Sequence, residues 1–140
     1  MRKLCLAAAS LTLAATSALA DEVWDSEWGM VAYIAEKDRW AVWSYGGDGT
    51  QGSETGKIFL EGLAGVVTGR GTYHGYWMTS GDAEGPCPTA RTDIDGNRSG
   101  EHGPVEVRFI DPDWPGRWRA LWGQCDGAPS EELNGTPRTR

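Results

Sequence analysis

Glycines interrupt this chain at short intervals, and the segments between them are brief runs of aromatic and β-branched residues. That rhythm is typical of β-strands separated by turns. No long stretch carries apolar residues at a helical period. The pattern therefore predicts an all-β chain of about six strands. We place these strands at residues 28–35, 40–45, 57–67, 71–78, 105–111 and 117–125.

Short links join the first predicted strand to the second, the third to the fourth, and the fifth to the sixth. Links of this length predict antiparallel hairpins. The simplest arrangement is a small antiparallel meander, either barrel-like or closed as a two-layer sandwich. The chain is long enough for one domain with a modest core.

The alternation of side chains predicts a core face for most strands, but two strands are ambiguous. In strand 28–35 we expect Trp28, Met30, Ala32 and Ile34 to face the core. Strand 40–45 carries rings on both faces, which predicts an apolar patch outside the core. The tail of the chain, another subunit or a ligand would cover that second face.

The first twenty residues have the layout of a secretory signal peptide. Arg2 and Lys3 precede an apolar run at 4–15, and the small-x-small sequence at 18–20 predicts cleavage. The run is shorter than the roughly 20 residues that span a bilayer. We expect residues 1–20 to be removed and the protein to be soluble in the periplasm or outside the cell, without membrane insertion.

Cleavage would leave two cysteines, Cys87 and Cys125. An even pair in an oxidising compartment predicts one disulfide. It would attach the long predicted loop at 79–104 to one end of the fold.

We predict one β domain over 21–127, followed by a flexible tail at 128–140, which is rich in Pro, Gly and Glu.

The charge of the processed chain narrows the possible partners. Without Arg2 and Lys3, 11 basic residues face 20 acidic ones, a net charge of −9. Such a chain repels phosphate backbones and anionic membranes, which argues against nucleic acid as a partner. A small molecule, a glycan or an envelope protein remains as a partner, and the sequence leaves the oligomeric state open. It predicts no cofactor.

Eight tryptophans are the unusual part of the composition. Burial of a large ring is worth roughly 1.5–3 kcal/mol, so most of them are expected in the core. Trp114 differs because it lies in a proline-flanked turn, where an exposed ring makes good contacts. We predict a ligand site at Trp114, Asp113 and Asp111, with Trp43 and Tyr45 as further candidates.

Alternating oxygen side chains at Asp93, Asp95 and Asn97 resemble a calcium loop only weakly. In that register Arg98 takes the glycine position and Pro104 takes the position of the bidentate glutamate. An ordinary turn explains the same residues. We predict no metal site.

No catalytic motif is apparent in the sequence. A G-x-S-x-G frame is absent, and a catalytic histidine needs both a nucleophile and a carboxylate within reach. We expect a non-catalytic binding module. One alternative is an envelope structural or assembly protein that uses an aromatic strand face. A second is a hydrolase that uses His74 with carboxylates.

Overall fold

The computed structural model describes residues 22–48, 52–66, 71–81 and 83–138, so the predicted signal peptide lies outside the described residues. Within those ranges no helix has the length and apolarity needed to cross a membrane. The strands are β1 (Val23–Ser26), β2 (Gly29–Lys37), β3 (Trp40–Tyr45), β4 (Gly56–Glu61), β5 (Gly71–Thr79), β6 (Arg91–Thr92), β7 (Arg98–Ser99), β8 (His102–Phe109), β9 (Trp118–Trp122) and β10 (Glu131–Pro137).

Eight of these strands form a closed antiparallel barrel in the order β1-β10-β9-β8-β5-β4-β3-β2. The two remaining strands, β6 and β7, form a small hairpin within the connection from β5 to β8. The predicted all-β antiparallel meander is confirmed, and it closes as a barrel rather than as a two-layer sandwich. The barrel has eight strands instead of the predicted six, because β1 and β10 were not predicted as strands. Closure leaves the barrel without an open edge strand.

Closure depends on a strand that the sequence analysis placed in a flexible tail. Glu131–Pro137 pairs with β9 on one side and with β1 on the other. Only Leu133 and Gly135 of this strand are fully buried. A strand with so few apolar residues does not show the usual alternation, which is why the sequence suggested a tail at 128–140 and a domain ending at 127. The structure corrects both boundaries.

The predicted core face of the first strand was also wrong. In β2 it is Val31 and Tyr33 that are buried, whereas Ile34 is 45% exposed. Trp28 lies in the turn before β2 and packs against the core from there. The alternation of side chains in β2 therefore cannot be counted from Trp28.

Indole rings fill the centre of the barrel. Trp24 stacks on Trp43 with 4.8 Å between ring centroids, and Trp43 contacts Trp118 at 5.5 Å. All three are at most 1% exposed. The interior is therefore a packed core. Trp77 is buried as well, so four of the eight tryptophans are buried and the other four are only partly buried, fewer than the composition predicted.

A second, smaller cluster lies on the outside of the barrel wall. This outer-wall cluster consists of Val42, Phe59, Tyr76 and Met78. Ile94 packs against it, and the Arg91 guanidinium lies 3.7 Å from the centre of the Tyr76 ring. The predicted second aromatic face therefore exists, but it is covered by the chain's own β5–β8 excursion (residues 83–101).

Contacts at several points hold this excursion against the barrel. The predicted disulfide between Cys87 and Cys125 is present and joins the excursion to the link between β9 and β10. Lys37 of β2 donates to the carbonyl of Ile94 at 2.9 Å and lies 3.5 Å from the carboxylate of Asp95. The excursion thus packs along the wall and is covalently fixed at one end.

We predict that Gly135→Ala destabilises the barrel. A Cβ atom at this position would lie 2.1 Å from a ring carbon of Trp118, and the buried indole has no room to retreat. Overpacking of this kind costs about 1–3 kcal/mol. Chemical unfolding followed by tryptophan fluorescence measures the loss. Thr136→Ala, at the adjacent exposed position, is the control, and equal midpoints for the two variants would contradict the prediction.

We also predict that the Cys87→Ser, Cys125→Ser double variant is less stable by roughly 4 kcal/mol at most, because the disulfide closes a loop with a sequence separation of 38. Chemical unfolding of the oxidised protein and of the variant gives the difference. A reductant should lower the midpoint of the native protein and leave the variant unchanged. The prediction is wrong if the reductant leaves the unfolding midpoint of the native protein unchanged.

Candidate functional site

The predicted ligand residues are distributed along the whole barrel rather than gathered in one place. Tyr45 ends β3 beside Gly56 and Thr79, at one end of the barrel. Trp114 lies in the link between Phe109 and Trp118, which pair at the opposite end. Trp43 is fully buried between the two ends. The structure does not bring the predicted set together.

Trp114 closes its end of the barrel. Its ring lies 5.0 Å from Phe109, 6.0 Å from Trp24 and 6.4 Å from Tyr33, centroid to centroid. Its indole Nε1 donates a short hydrogen bond to the Glu22 carboxylate. The half-buried ring is thus engaged by core aromatics and by an acceptor of its own chain.

The two aspartates of the same turn are arranged differently from each other. The Asp111 carboxylate accepts hydrogen bonds from the Arg117 guanidinium, the closest at 2.9 Å, and from its backbone N–H. These hydrogen bonds hold the pKa of Asp111 below its ordinary value. Asp113 is exposed. One of the two predicted carboxylates is therefore already paired within the turn.

Four aromatic side chains meet at the other end of the barrel, which we call the mouth: Trp28, Tyr45, Trp77 and Trp122. The Trp28 ring lies 4.9 Å from Tyr45, 5.7 Å from Trp77 and 5.0 Å from Trp122. The rings of Trp77 and Trp122 are perpendicular to each other. They line an open pocket of about 270 Å³.

Local structure at three glycines positions three of these four rings. Trp28 lies in a tight turn in which the Ser26 hydroxyl donates to the carbonyl of Gly29, a residue with a φ of 85°. Trp77 Nε1 donates to the carbonyl of Gly123 at 2.9 Å, which fixes its indole. At Gly56 a Cβ atom would lie 2.4 Å from the Tyr45 hydroxyl oxygen. Contacts within the chain therefore position Trp28, Trp77 and Tyr45.

The polar part of the mouth consists of two hydroxyls, one amide and one carboxylate, contributed by Thr55, Thr79, Gln124 and Glu101. Burial raises the pKa of Tyr45, and the nearby Glu101 charge raises it further. The Tyr45 phenol is therefore neutral at physiological pH. The Glu101 carboxylate has no hydrogen bond or ion pair to any residue in the described ranges. The pocket thus combines aromatic walls with an uncompensated negative charge.

A second pocket, of about 310 Å³, lies between the barrel wall and the β5–β8 excursion. It is lined by Lys57 and Arg98 together with polar residues and parts of the outer-wall cluster. Its walls therefore depend on the position of the excursion, whereas only Glu101 of the residues that line the mouth belongs to the excursion.

The weak calcium candidates lie in the turn between β6 and β7. One Asp93 carboxylate oxygen accepts from the backbone N–H groups of Asp95 and Asn97, each at 2.9 Å. The Asp95 carboxylate faces Lys37 of the barrel. These contacts are those of an ordinary Asx-type turn. Among the described residues, no group of three or more His, Cys, Asp or Glu side chains is placed to hold a metal ion.

The two histidines occupy different environments. His74 is exposed on the outer wall, with Nδ1 3.6 Å from a Glu106 carboxylate oxygen. His102 is buried, and its Nε2 lies 2.7 Å from the carbonyl oxygen of Thr89. The His74–Glu106 pair lies on neither pocket.

Three of the four mouth rings, Trp28, Trp77 and Trp122, are predicted core residues from the sequence, and only Tyr45 is a predicted ligand residue. Glu101 has no distinguishing mark in so acidic a sequence. One sequence feature could have indicated the mouth. Trp28 and Trp122 each precede a glycine, and a glycine often marks the beginning or the end of a strand. Which strand ends meet at the same end of the barrel is decided by the strand order.

Comparisons of this chain with protein-family models, with curated proteins and with solved structures found no match.

At the Trp114 end, we predict that Glu22→Gln raises the thermal unfolding midpoint near neutral pH. Burial raises the pKa of Glu22, opposed in part by its hydrogen bond with Trp114, and nearby Glu36 raises it further. The ionised form is therefore less favourable in the folded than in the unfolded chain. The free-energy cost is fully present above the raised pKa of the folded state, declines as the pH falls through that value, and is gone below the ordinary pKa of the unfolded chain.

The stabilisation by Glu22→Gln should accordingly shrink as the solution is acidified, since both side chains are then neutral. Thermal unfolding at a series of pH values, followed by fluorescence, measures the difference from the native protein. Glu131→Gln, at an exposed position in β10, is the control and should show no such trend. A lower midpoint for Glu22→Gln near neutral pH, or a difference that is constant with pH, would contradict the prediction.

Proposed function

We propose that this protein is a non-catalytic binding module and that its ligand site is the mouth. The observation that carries the proposal is the cluster of four aromatic rings around an open pocket of about 270 Å³. Ligand sites in β-barrels commonly lie at the mouth, and they combine apolar walls with a few convergent polar groups. The mouth has both.

Incomplete burial of two rings supports this assignment. Trp28 and Trp122 are only partly buried, although the barrel interior buries Trp24, Trp43 and Trp118 almost completely. Leaving apolar ring surface in water forfeits roughly 25 cal/mol for each Å². A ligand that covers these rings would recover that free energy.

Rigidity of the mouth also favours binding. The disulfide fixes the excursion to the link after β9, close to Trp122 and Gln124. The hydrogen bond from Trp77 holds one indole wall in place. Preorganised walls reduce the entropy lost when a ligand binds.

The proposed setting is the periplasm or the extracellular space, reached by export that the predicted signal peptide directs before it is cleaved. A disulfide in a small β domain fits an oxidising compartment. The proposed ligand is a small molecule, and the sugar units of a glycan belong among the probes that test it.

The two alternative functions gain less support from the geometry. The aromatic wall face on which an assembly role depended is covered by Ile94 and Arg91. A hydrolase built on His74 would work from an exposed histidine on the outer wall, away from the mouth. Neither arrangement offers as complete a site as the mouth.

A binding screen with defined probes tests the proposal. We predict that at least one of indole, N-acetylglucosamine and choline binds the oxidised protein, as measured by ligand-observed NMR and tryptophan fluorescence. Binding should be lost in Trp122→Ala, which removes one wall of the pocket, and retained in Trp114→Phe, which changes the opposite end. Both variants are first checked for cooperative unfolding. Failure of all three probes, or unchanged binding in Trp122→Ala, would overturn the proposal.

A further inference from the structure

We propose that the mouth selects a small organic cation, an ammonium group with apolar substituents. This inference rests on the proposed function, since it names the ligand class of the same pocket. It follows from the orientation of the rings, the charge of the rim and the size of the space.

The orientation of the rings favours a compact cation. A cation is attracted to the face of an aromatic ring within about 6 Å of its centre, and tryptophan is the best of the aromatic side chains for this. Trp28 is inclined by 68° to Trp77 and by 67° to Trp122, and the latter two are at 90° to each other. The ring centroids are 5.0–5.7 Å apart, so the indoles also pack edge to face against one another, and a cation would lie against the ring surface that lines the pocket rather than between the rings.

The negative charge at the rim of the pocket also favours a cation. Glu101 lines the pocket, and its carboxylate is paired with no other side chain in the described part of the chain. None of the eight residues that line the pocket is lysine or arginine. An anion would therefore be repelled, whereas a cation would be held by the carboxylate and the ring faces together.

The limited polar rim and the size of the pocket favour a compact cation over a sugar ring. A sugar ring carries several hydroxyls that need hydrogen-bond partners when it is buried. The polar rim is limited to Thr55, Thr79, Gln124 and Glu101. A volume of about 270 Å³ is small for a ligand site, which suits a compact ammonium group.

Choline and 3,3-dimethylbutan-1-ol test the inference, because the two have nearly the same shape and only choline carries a charge. Titration of the oxidised protein, by calorimetry and tryptophan fluorescence, should show choline binding roughly tenfold more tightly than the neutral alcohol. Glu101→Gln should remove most of that preference. Glu106→Gln, on the outer wall, is the matched control and should keep it.

The possible outcomes separate the two proposals. Equal binding of choline and the neutral alcohol, or an unchanged preference in Glu101→Gln, overturns the cation inference and leaves the binding module standing. Binding of indole or N-acetylglucosamine at Trp122, without choline, does the same. If choline, its isostere and the other probes all fail to bind the oxidised protein, both proposals are overturned.

Discussion

The contact of Trp24 with Trp43 and of Trp43 with Trp118 at the centre of the barrel is the interaction on which the rest of the structure depends. These three indoles belong to β1, β3 and β9, which are distant in sequence, so their packing fixes how the strands close around one interior. Gly135 on β10 leaves the space that the Trp118 ring occupies. The same ring contacts therefore both fill the interior and hold the closed arrangement of the strands.

The barrel wall also has an apolar surface on its outside, the outer-wall cluster, and another part of the chain covers it. The β5–β8 excursion packs Ile94 against the outer-wall cluster and lays Arg91 over Tyr76. The disulfide attaches this cover to the mouth end of the barrel. Its effect thus extends from the stability of the wall to the geometry of the mouth, where Glu101 follows the excursion's hairpin.

The two ends of the barrel use tryptophan for different purposes. At one end Trp114 is packed against core rings and hydrogen-bonded to Glu22, so the ring closes the barrel. At the other end Trp28 and Trp122 leave part of their surface facing an open pocket. The proposed binding role follows from this difference: Trp28 and Trp122 also pack against neighbouring rings, but they line a pocket, whereas Trp114 lines neither of the two pockets described above.

The sequence by itself determined the strand class, the antiparallel hairpins and the disulfide pairing, because turn glycines, short links and an even pair of cysteines act locally or through composition. It overestimated the burial of the tryptophans, since four of the eight are buried. It did not reveal β10, whose polar alternation resembles a tail, or the burial of Val31 and Tyr33 in β2. Only the tertiary structure decided which strand ends meet. Trp28, Tyr45, Trp77, Trp122 and Glu101 converge because closure of the barrel sets strand order and register, and contacts between residues so far apart in sequence leave no local pattern.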